Sequence, residues 1–473
     1  MNRSRLISMA RDAARVLISG RKPVFYASVM IGVAAGLAAM ILKKSVHALA
    51  AASSSLVDAA GIPALRFLLP MAGIFLTLAF TRYIVKEDIG HGVAKVLKAR
   101  ARDDGVIAPH NMVSSIAACS MTVGLGGSVG LEAPVMYTGS AIGSNVARLF
   151  GFDARTRIIL VGCGSAAAVA AIFKAPIAGI VFALEVLMID STVGNKLPLI
   201  VSSITGAFVS MLATGTDIEF SFTVHDSFNP VNVPFYMGLG VFCGLMALHL
   251  HKTSKLVETS LGRIGSPWIR ASAGGVALGV MVAFLPPLFG EGFSTMKALL
   301  SAHPADSLAG SLFDLPGLSD ARLLAFLAVV LVLKPFASGL TTGAGGVGGI
   351  FAPSLFMGGI AGFLFSRTAR MLGATTVSEA NFTLIGMAAL LSALMHSPLT
   401  GIFLIAEVTG GYRLFIPLLV ASISAFATHR AFCRYSVYTE SLAAHDSLVT
   451  YDKDAAALMQ LAPYSPVDAD GPR

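Results

Sequence analysis

Charge is what this chain has least of. Asp, Glu, Lys and Arg together make up 13% of its 473 residues, about half the share of an ordinary soluble domain. A soluble chain of this length needs far more polar surface, so a water-soluble fold is excluded. The four cysteines, Cys119, Cys163, Cys243 and Cys433, form no C-x-x-C pair and lie in or beside apolar sequence. They read as small buried hydrophobes rather than a disulfide framework or a metal knuckle, and no metal site is expected. No His/Glu ligand cluster and no nucleophile–base spacing stands out, which counts against an enzyme. No small-residue cleavage site follows the basic N-terminal stretch at the right distance, so a cleaved signal peptide is not expected. The 35 residues after Tyr438 are too few for a further domain with its own core.

What is abundant fits the bilayer. Hydrophobic residues make up 55% of the chain, and 48 glycines suit close helix packing. The expected fold class is an all-α polytopic membrane protein. Apolar stretches recur near 24–42, 63–85, 107–121, 133–150, 157–173, 177–190, 198–214, 232–250, 267–289, 321–340, 350–372, 381–395, 399–409 and 413–432. Several fall short of the ~20 residues that a simple spanning helix needs. Broken or tilted helices that meet inside the protein are therefore expected, because irregular backbone at that depth must be buried or line a wet cavity.

The formal net charge of +8 does not point to nucleic acid. Residues 1–22 carry Arg3, Arg5, Arg11, Arg15, Arg21 and Lys22 against Asp12 alone, just before the first apolar span. That bias puts the N-terminus in the cytoplasm. Leu6, Met9, Ala13, Val16 and Leu17 recur at helical spacing, as in an interfacial amphipathic helix.

The chain also says nearly the same thing twice. Gly126-Gly127-Ser128-Val129-Gly130-Leu131-Glu132-Ala133-Pro134 returns 219 residues later as Gly345-Gly346-Val347-Gly348-Gly349-Ile350-Phe351-Ala352-Pro353. Each copy has another glycine five residues past its proline, Gly139 and Gly358. A second pair follows in order: Ala175-Pro176-Ile177-Ala178-Gly179-Ile180 with Glu185, and Ser397-Pro398-Leu399-Thr400-Gly401-Ile402 with Glu407. Matched glycine-rich breaks in two halves are how many transporters build a site within the bilayer. The expected division is a cytoplasmic amphipathic segment at 1–22 and a first membrane repeat at 23–215. Connecting helices and loops with the start of the second repeat follow at 216–320, then the second repeat core at 321–440 and a short cytoplasmic tail at 441–473.

Each break should feed a helix start, before 135–150 and before 354–372, with Gly90-His91-Gly92-Val93-Ala94 as a third before 95–101. Proline suits a first helical turn, and glycine lets backbone N–H groups face a cavity. Helix N-termini that converge make an anion site without formal charge; glycine used purely for helix packing is the alternative. Glu132 stands at such a start in apolar surroundings, where a carboxylate costs several kcal/mol unless compensated. As an anion it can occupy the site itself, and on protonation it can leave. Glu185 and Glu407 suit either transport or a structural role at a helix end.

These residues reach a family. The chain resembles the CLC chloride channels and transporters over about residues 20–440. The family's GREGP segment matches Gly130-Leu131-Glu132-Ala133-Pro134, its GxFxP segment Gly349-Ile350-Phe351-Ala352-Pro353, and its GSGIP segment Gly90-His91-Gly92-Val93-Ala94. Phe173-Lys174-Ala175-Pro176-Ile177-Ala178-Gly179 looks like its F-N-A-P-L-A-G, and Ser436-Val437-Tyr438-Thr439 resembles the segment carrying its anion-binding tyrosine.

The resemblance implies an all-helical homodimer in which each subunit is an inverted repeat with its own anion pathway. Glu132 would be the gating glutamate. The implied anion-binding set is His91, Gly130, Leu131, Ala133, Ile350, Phe351 and Tyr438, supported by Gly90, Gly92 and Gly349, with Glu185 as a possible proton relay. The implied partners are an inorganic anion and membrane lipid, with no cofactor.

The departures are specific. His91 replaces the central serine, Leu131 the arginine and Ala133 the glycine beside the gate, and Lys174 the asparagine. The second carboxylate of proton-coupled members should follow Glu185, where Val186 stands, and no C-terminal nucleotide-binding pair is expected. The reading is anion transport, chloride first, across a bacterial-type inner membrane, channel-like or weakly proton-coupled. The alternatives are an H+/Cl- antiporter, the same fold carrying bicarbonate, fluoride or nitrate, an intramembrane enzyme using Glu132 and His91, and a sodium-coupled transporter.

Overall fold

The computed structural model describes residues 22–61, 63–87, 89–90, 92–189, 193–215, 228–301, 304–308, 311 and 320–440. The amphipathic segment expected near the N-terminus, His91 and the tail after 440 lie outside these residues. Among the described residues there are sixteen α-helices, and the only strand-like pairing is one isolated antiparallel bridge. Eight helical stretches are long and apolar enough to cross a membrane.

The first half begins with α1 (Lys22–Ala60), α2 (Leu69–Ala79) and α3 (Gly92–Arg102). Apolar sequence at 24–42 understates α1, which runs through Lys43, Lys44 and His47 because nothing from 37 to 60 is glycine or proline. Next come α4 (Ser114–Gly124), α5 (Glu132–Leu149), α6 (Ala154–Phe173), α7 (Pro176–Glu185) and α8 (Val193–Thr214). Connecting helices α9 (Val233–Gly262), α10 (Pro267–Phe284) and α11 (Phe293–Leu300) follow. The second half then repeats the pattern with α12 (Asp320–Gly343), α13 (Phe351–Met371), α14 (Glu379–Met395), α15 (Pro398–Val408) and α16 (Phe415–Phe432).

The repeat is visible in backbone detail. Gly126 and Gly345, 219 apart, take φ of 99° and 107°, a region that L side chains avoid and glycine enters freely. Gly127 N–H donates to Thr122 O, and Gly346 N–H to Thr341 O, again 219 apart. The loops are also pinned crosswise. Thr341 Oγ1 accepts from Ser128 N–H at 3.1 Å, and Thr122 Oγ1 accepts from Val347 N–H at 3.0 Å. Farther on, α6 and α14 both end at a left-handed residue, Lys174 (φ 55°) and His396 (φ 56°), before the prolines that open α7 and α15.

The repeated glycines bring helices together. A Cβ at Gly139 would strike Gly164 O, and one at Gly358 would strike Gly386 O, so α5 lies on α6 as α13 lies on α14. Every residue of α14 from Asn381 to Met395 is buried, as is every residue of α13 from Phe351 to Phe363. A helix apolar all round sits inside the protein. At 10 and 11 residues, α7 and α15 reach only about 15–17 Å at 1.5 Å per residue, so neither can cross a ~30 Å core.

Candidate functional site

The two glycine-rich loops meet. Gly130 N–H donates to Gly349 O at 2.8 Å, and Gly349 N–H returns the bond to Gly130 O at 2.9 Å. This two-bond bridge is the only sheet-like pairing among the described residues. Both loops run straight into helices that start three residues earlier than the prolines suggest, at Glu132 and Phe351, because Pro134 and Pro353 fit inside the first turn.

The helix starts interlock closely. The space a Cβ at Gly349 would fill is taken by Cβ and N of Ala133; that at Gly130 is taken by Oε2 of Glu132 and by Cβ and N of Ala352. A Cβ at Gly92, the first residue of α3, would meet Ala133 O and Tyr137 Cβ. Three helix N-termini thus converge on a few residues.

The first ladder bond of α13 runs from Ser354 N–H to Ile350 O, and that of α5 from Val135 N–H to Leu131 O. The N–H groups of Ile350, Phe351, Ala352, Glu132 and Ala133 therefore precede the helical ladders, the orphan donors every helix start carries. Neither start has a side-chain cap. Two expected donors are otherwise engaged: Gly130 N–H is held by Gly349, and Leu131 N–H points to Glu291 Oε1 at 3.4 Å.

Glu132 is 4% exposed, and its Oε2 is buried without a hydrogen-bond partner. With Ala352 beside it, its carboxylate lies at the start of α13, where the positive end of the helix stabilises an anion. Phe351 is buried and stacks on Phe173, centroids 5.4 Å apart, so the Phe173–Pro176 turn backs the second helix start. Tyr438 is buried and near enough to Glu132 to interact with it electrostatically. Its segment is tied to α14 by Val437 N–H donating to Leu394 O. His91 is outside the described residues.

Glu185 and Glu407 do something different. Glu407 accepts from Ile177 and Ala178 N–H at 3.0 and 2.7 Å, at the start of α7. Glu185 accepts from Leu399 and Thr400 N–H at 3.2 and 2.8 Å, and from the Thr400 hydroxyl at 2.8 Å, at the start of α15. Each carboxylate closes the other repeat's helix start, a reciprocal cap made possible by the matched nine-residue spacing. Replacing Glu185 with Gln is expected to cost about 0.5–2 kcal/mol of stability, the range for lost caps, and to leave anion flux unchanged. Thermal unfolding beside a flux assay checks both.

Two residues near the loops escape a reading of motifs alone. Lys334 is 0% exposed, with Nζ donating to Ser128 Oγ at 2.8 Å and Gly290 O at 3.1 Å and lying 4.8 Å from the centre of the Phe356 ring. It therefore places a buried amine directly behind the first glycine-rich loop. Glu291 supplies the carboxylate facing Leu131 N–H and also interacts electrostatically with Lys334. A charge isolated inside the apolar run at 321–340 was the available signal for Lys334. Glu291 stands in a Gly-Glu-Gly turn between helices, and only the tertiary fold brings it to the loop.

A family model for voltage gated chloride channels matches residues 72–430. A putative ClcB-like chloride channel protein of Ralstonia nicotianae is 30% identical over 385 residues, 80% of this chain and 85% of its own length. Among solved structures, a slow cyanobacterial Cl-/H+ antiporter superposes with a TM-score of 0.79 at 20% identity, over 90% of this chain and 98% of its own. A CLC-type fluoride/proton antiporter gives 0.72 at 21% identity, over 88% and 97%. With the paired glycine-rich helix starts already in place, these matches identify a multi-pass membrane protein of the CLC voltage-gated chloride channel family, which carries out anion transport.

Proposed function

We propose that this protein carries chloride through the junction of the two glycine-rich loops, with Glu132 as the gate. The observation that carries the reading is the position of the Glu132 carboxylate. It sits at the start of α13 beside Ala352, where a permeating anion would meet the N–H groups of Ile350 and Phe351. While charged, the carboxylate competes with chloride for these donors. Once protonated, it loses that attraction and leaves the site to the anion. Tyr438, buried near Glu132, would supply a hydroxyl, and His91 would add an imidazole where the family pattern has serine.

The working unit on this reading is a homodimer in a bacterial-type inner membrane, N-terminus cytoplasmic, each subunit with its own pathway. The protein acts as a transporter and not as an enzyme, and its coupling to protons is weak. Purified protein in liposomes should release chloride down its gradient equally well with and without sodium. Efflux that needs sodium would replace this reading with a sodium-coupled one.

A further inference from the structure

Three histidines that the anion pathway does not use, His251, His396 and His429, collect in one place. His251 is on α9, His429 in the last turn of α16, and His396 at the left-handed end of α14. His251 is 4% exposed and His429 0%. Each of these two rings has one nitrogen engaged. His251 Nε2 lies 2.9 Å from Glu440 Oε2, whose other oxygen is 2.7 Å from Lys255 Nζ. His429 Nδ1 lies 2.9 Å from His396 Nε2.

The remaining nitrogens, His251 Nδ1 and His429 Nε2, are buried with no hydrogen-bond partner. A buried polar group left without a partner is costly, so two side by side call for an explanation. The rings stack, centroids 5.6 Å apart and planes 16° from parallel. Cys433 follows His429 by four residues, and its N–H donates to His429 O, which keeps both on one face of the helix end. One ring nitrogen from each histidine and Cys433 Sγ all lie within 4.8 Å of one another.

The geometry points to a binding site for one zinc-class divalent transition-metal ion, held by His251 Nδ1, His429 Nε2 and Cys433 Sγ. Two imidazoles and a thiolate form a borderline-soft donor set suited to zinc, with a fourth tetrahedral position left for water. The outer contacts match how such ligands are held. Histidines on a metal usually give their other N–H to a carboxylate or similar acceptor, as His251 does to Glu440 and His429 can to His396. Donors around tetrahedral zinc are about 3.3–3.8 Å apart for bonds of ~2.0–2.3 Å. The longest of the three separations, at most 4.8 Å, therefore has to shorten by roughly 1–1.5 Å as the metal binds. Bound metal would join α9 to the end of α16, five residues before Tyr438. The 178-residue separation of His251 and His429 hides the set from any reading of ligand spacing.

The test uses the full-length protein in detergent, stripped with a chelator and then dialysed against Zn2+, with metal counted by mass spectrometry. One zinc per chain is expected. C433S and H429A should lose it, and Glu440→Gln should weaken binding 10- to 100-fold, as losing the carboxylate that orients a ligating histidine does. Co2+ in place of zinc should give a thiolate charge-transfer band that is absent in C433S. The last variant keeps the fold because Cys433 is only half-buried, so its result stands even if H429A aggregates. Zinc well below one per chain in the wild type, no thiolate band with Co2+, or unchanged affinity in C433S would overturn the site.

Discussion

Replacing Glu132 with glutamine is expected to hold the pathway open across the pH range in which the native protein closes. On the proposed reading the charged carboxylate, which lies beside Ala352 at the start of α13, competes for the donors there, so flux should rise as external pH falls and the group takes up a proton. Glutamine has nearly the same shape without the charge and mimics the protonated gate. Its flux at neutral pH should approach the native rate at low pH, and its pH profile should be nearly flat. Chloride efflux from liposomes at stepped external pH measures both curves. An unchanged pH profile in Glu132→Gln would remove this residue from the gating role.

The second large effect concerns protons. Coupled members of this family use two carboxylates, and the inner one should stand at 186, where this chain has a buried valine. Its neighbour Glu185 is the nearest substitute, but its oxygens already accept two backbone N–H groups and a hydroxyl at the start of α15. Hydrogen bonds to a charged group contribute about 1.5–3 kcal/mol each, and protonating Glu185 would weaken all three. A chloride gradient across liposomes is therefore expected to drive little uphill proton movement. Strong uphill pumping that survives Glu185→Gln would show that the argument from Val186 is wrong. Pumping abolished by the same change would make Glu185 the relay.

How much of this was legible in the sequence follows from which interactions are local. The matched glycine-rich breaks predicted two helix starts, because glycine at φ near 100° and proline in a first turn are local requirements. The 219-residue offset predicted that the breaks would correspond, and the Gly130–Gly349 bridge bears this out. Helix ends were less legible. Nothing local says that α5 begins at Glu132 rather than beyond Pro134, since proline fits either way.

Tertiary exchange was hidden. The equal spacing of Glu185 and Glu407 was plain, but their crossing to cap each other's repeat depends on how α7 meets α15. Lys334 was visible as one charge in an apolar helix, although its hold on Ser128 and Gly290 was not. Three of the four cysteines are buried as expected, whereas Cys433 is half-exposed beside two histidines that its sequence neighbourhood only half reveals.

The most direct measurement is a bromide anomalous-scattering map from crystals of Glu132→Gln. The central claim is that permeating anions rest where the charged carboxylate rests in the native protein, at the joined helix starts. The map should show a peak within hydrogen-bond reach of the Ile350 and Phe351 N–H groups and the Tyr438 hydroxyl, with a second at the position vacated by the Glu132 carboxylate. Bromide found only away from the Gly130–Gly349 junction, with neither position occupied, would contradict it.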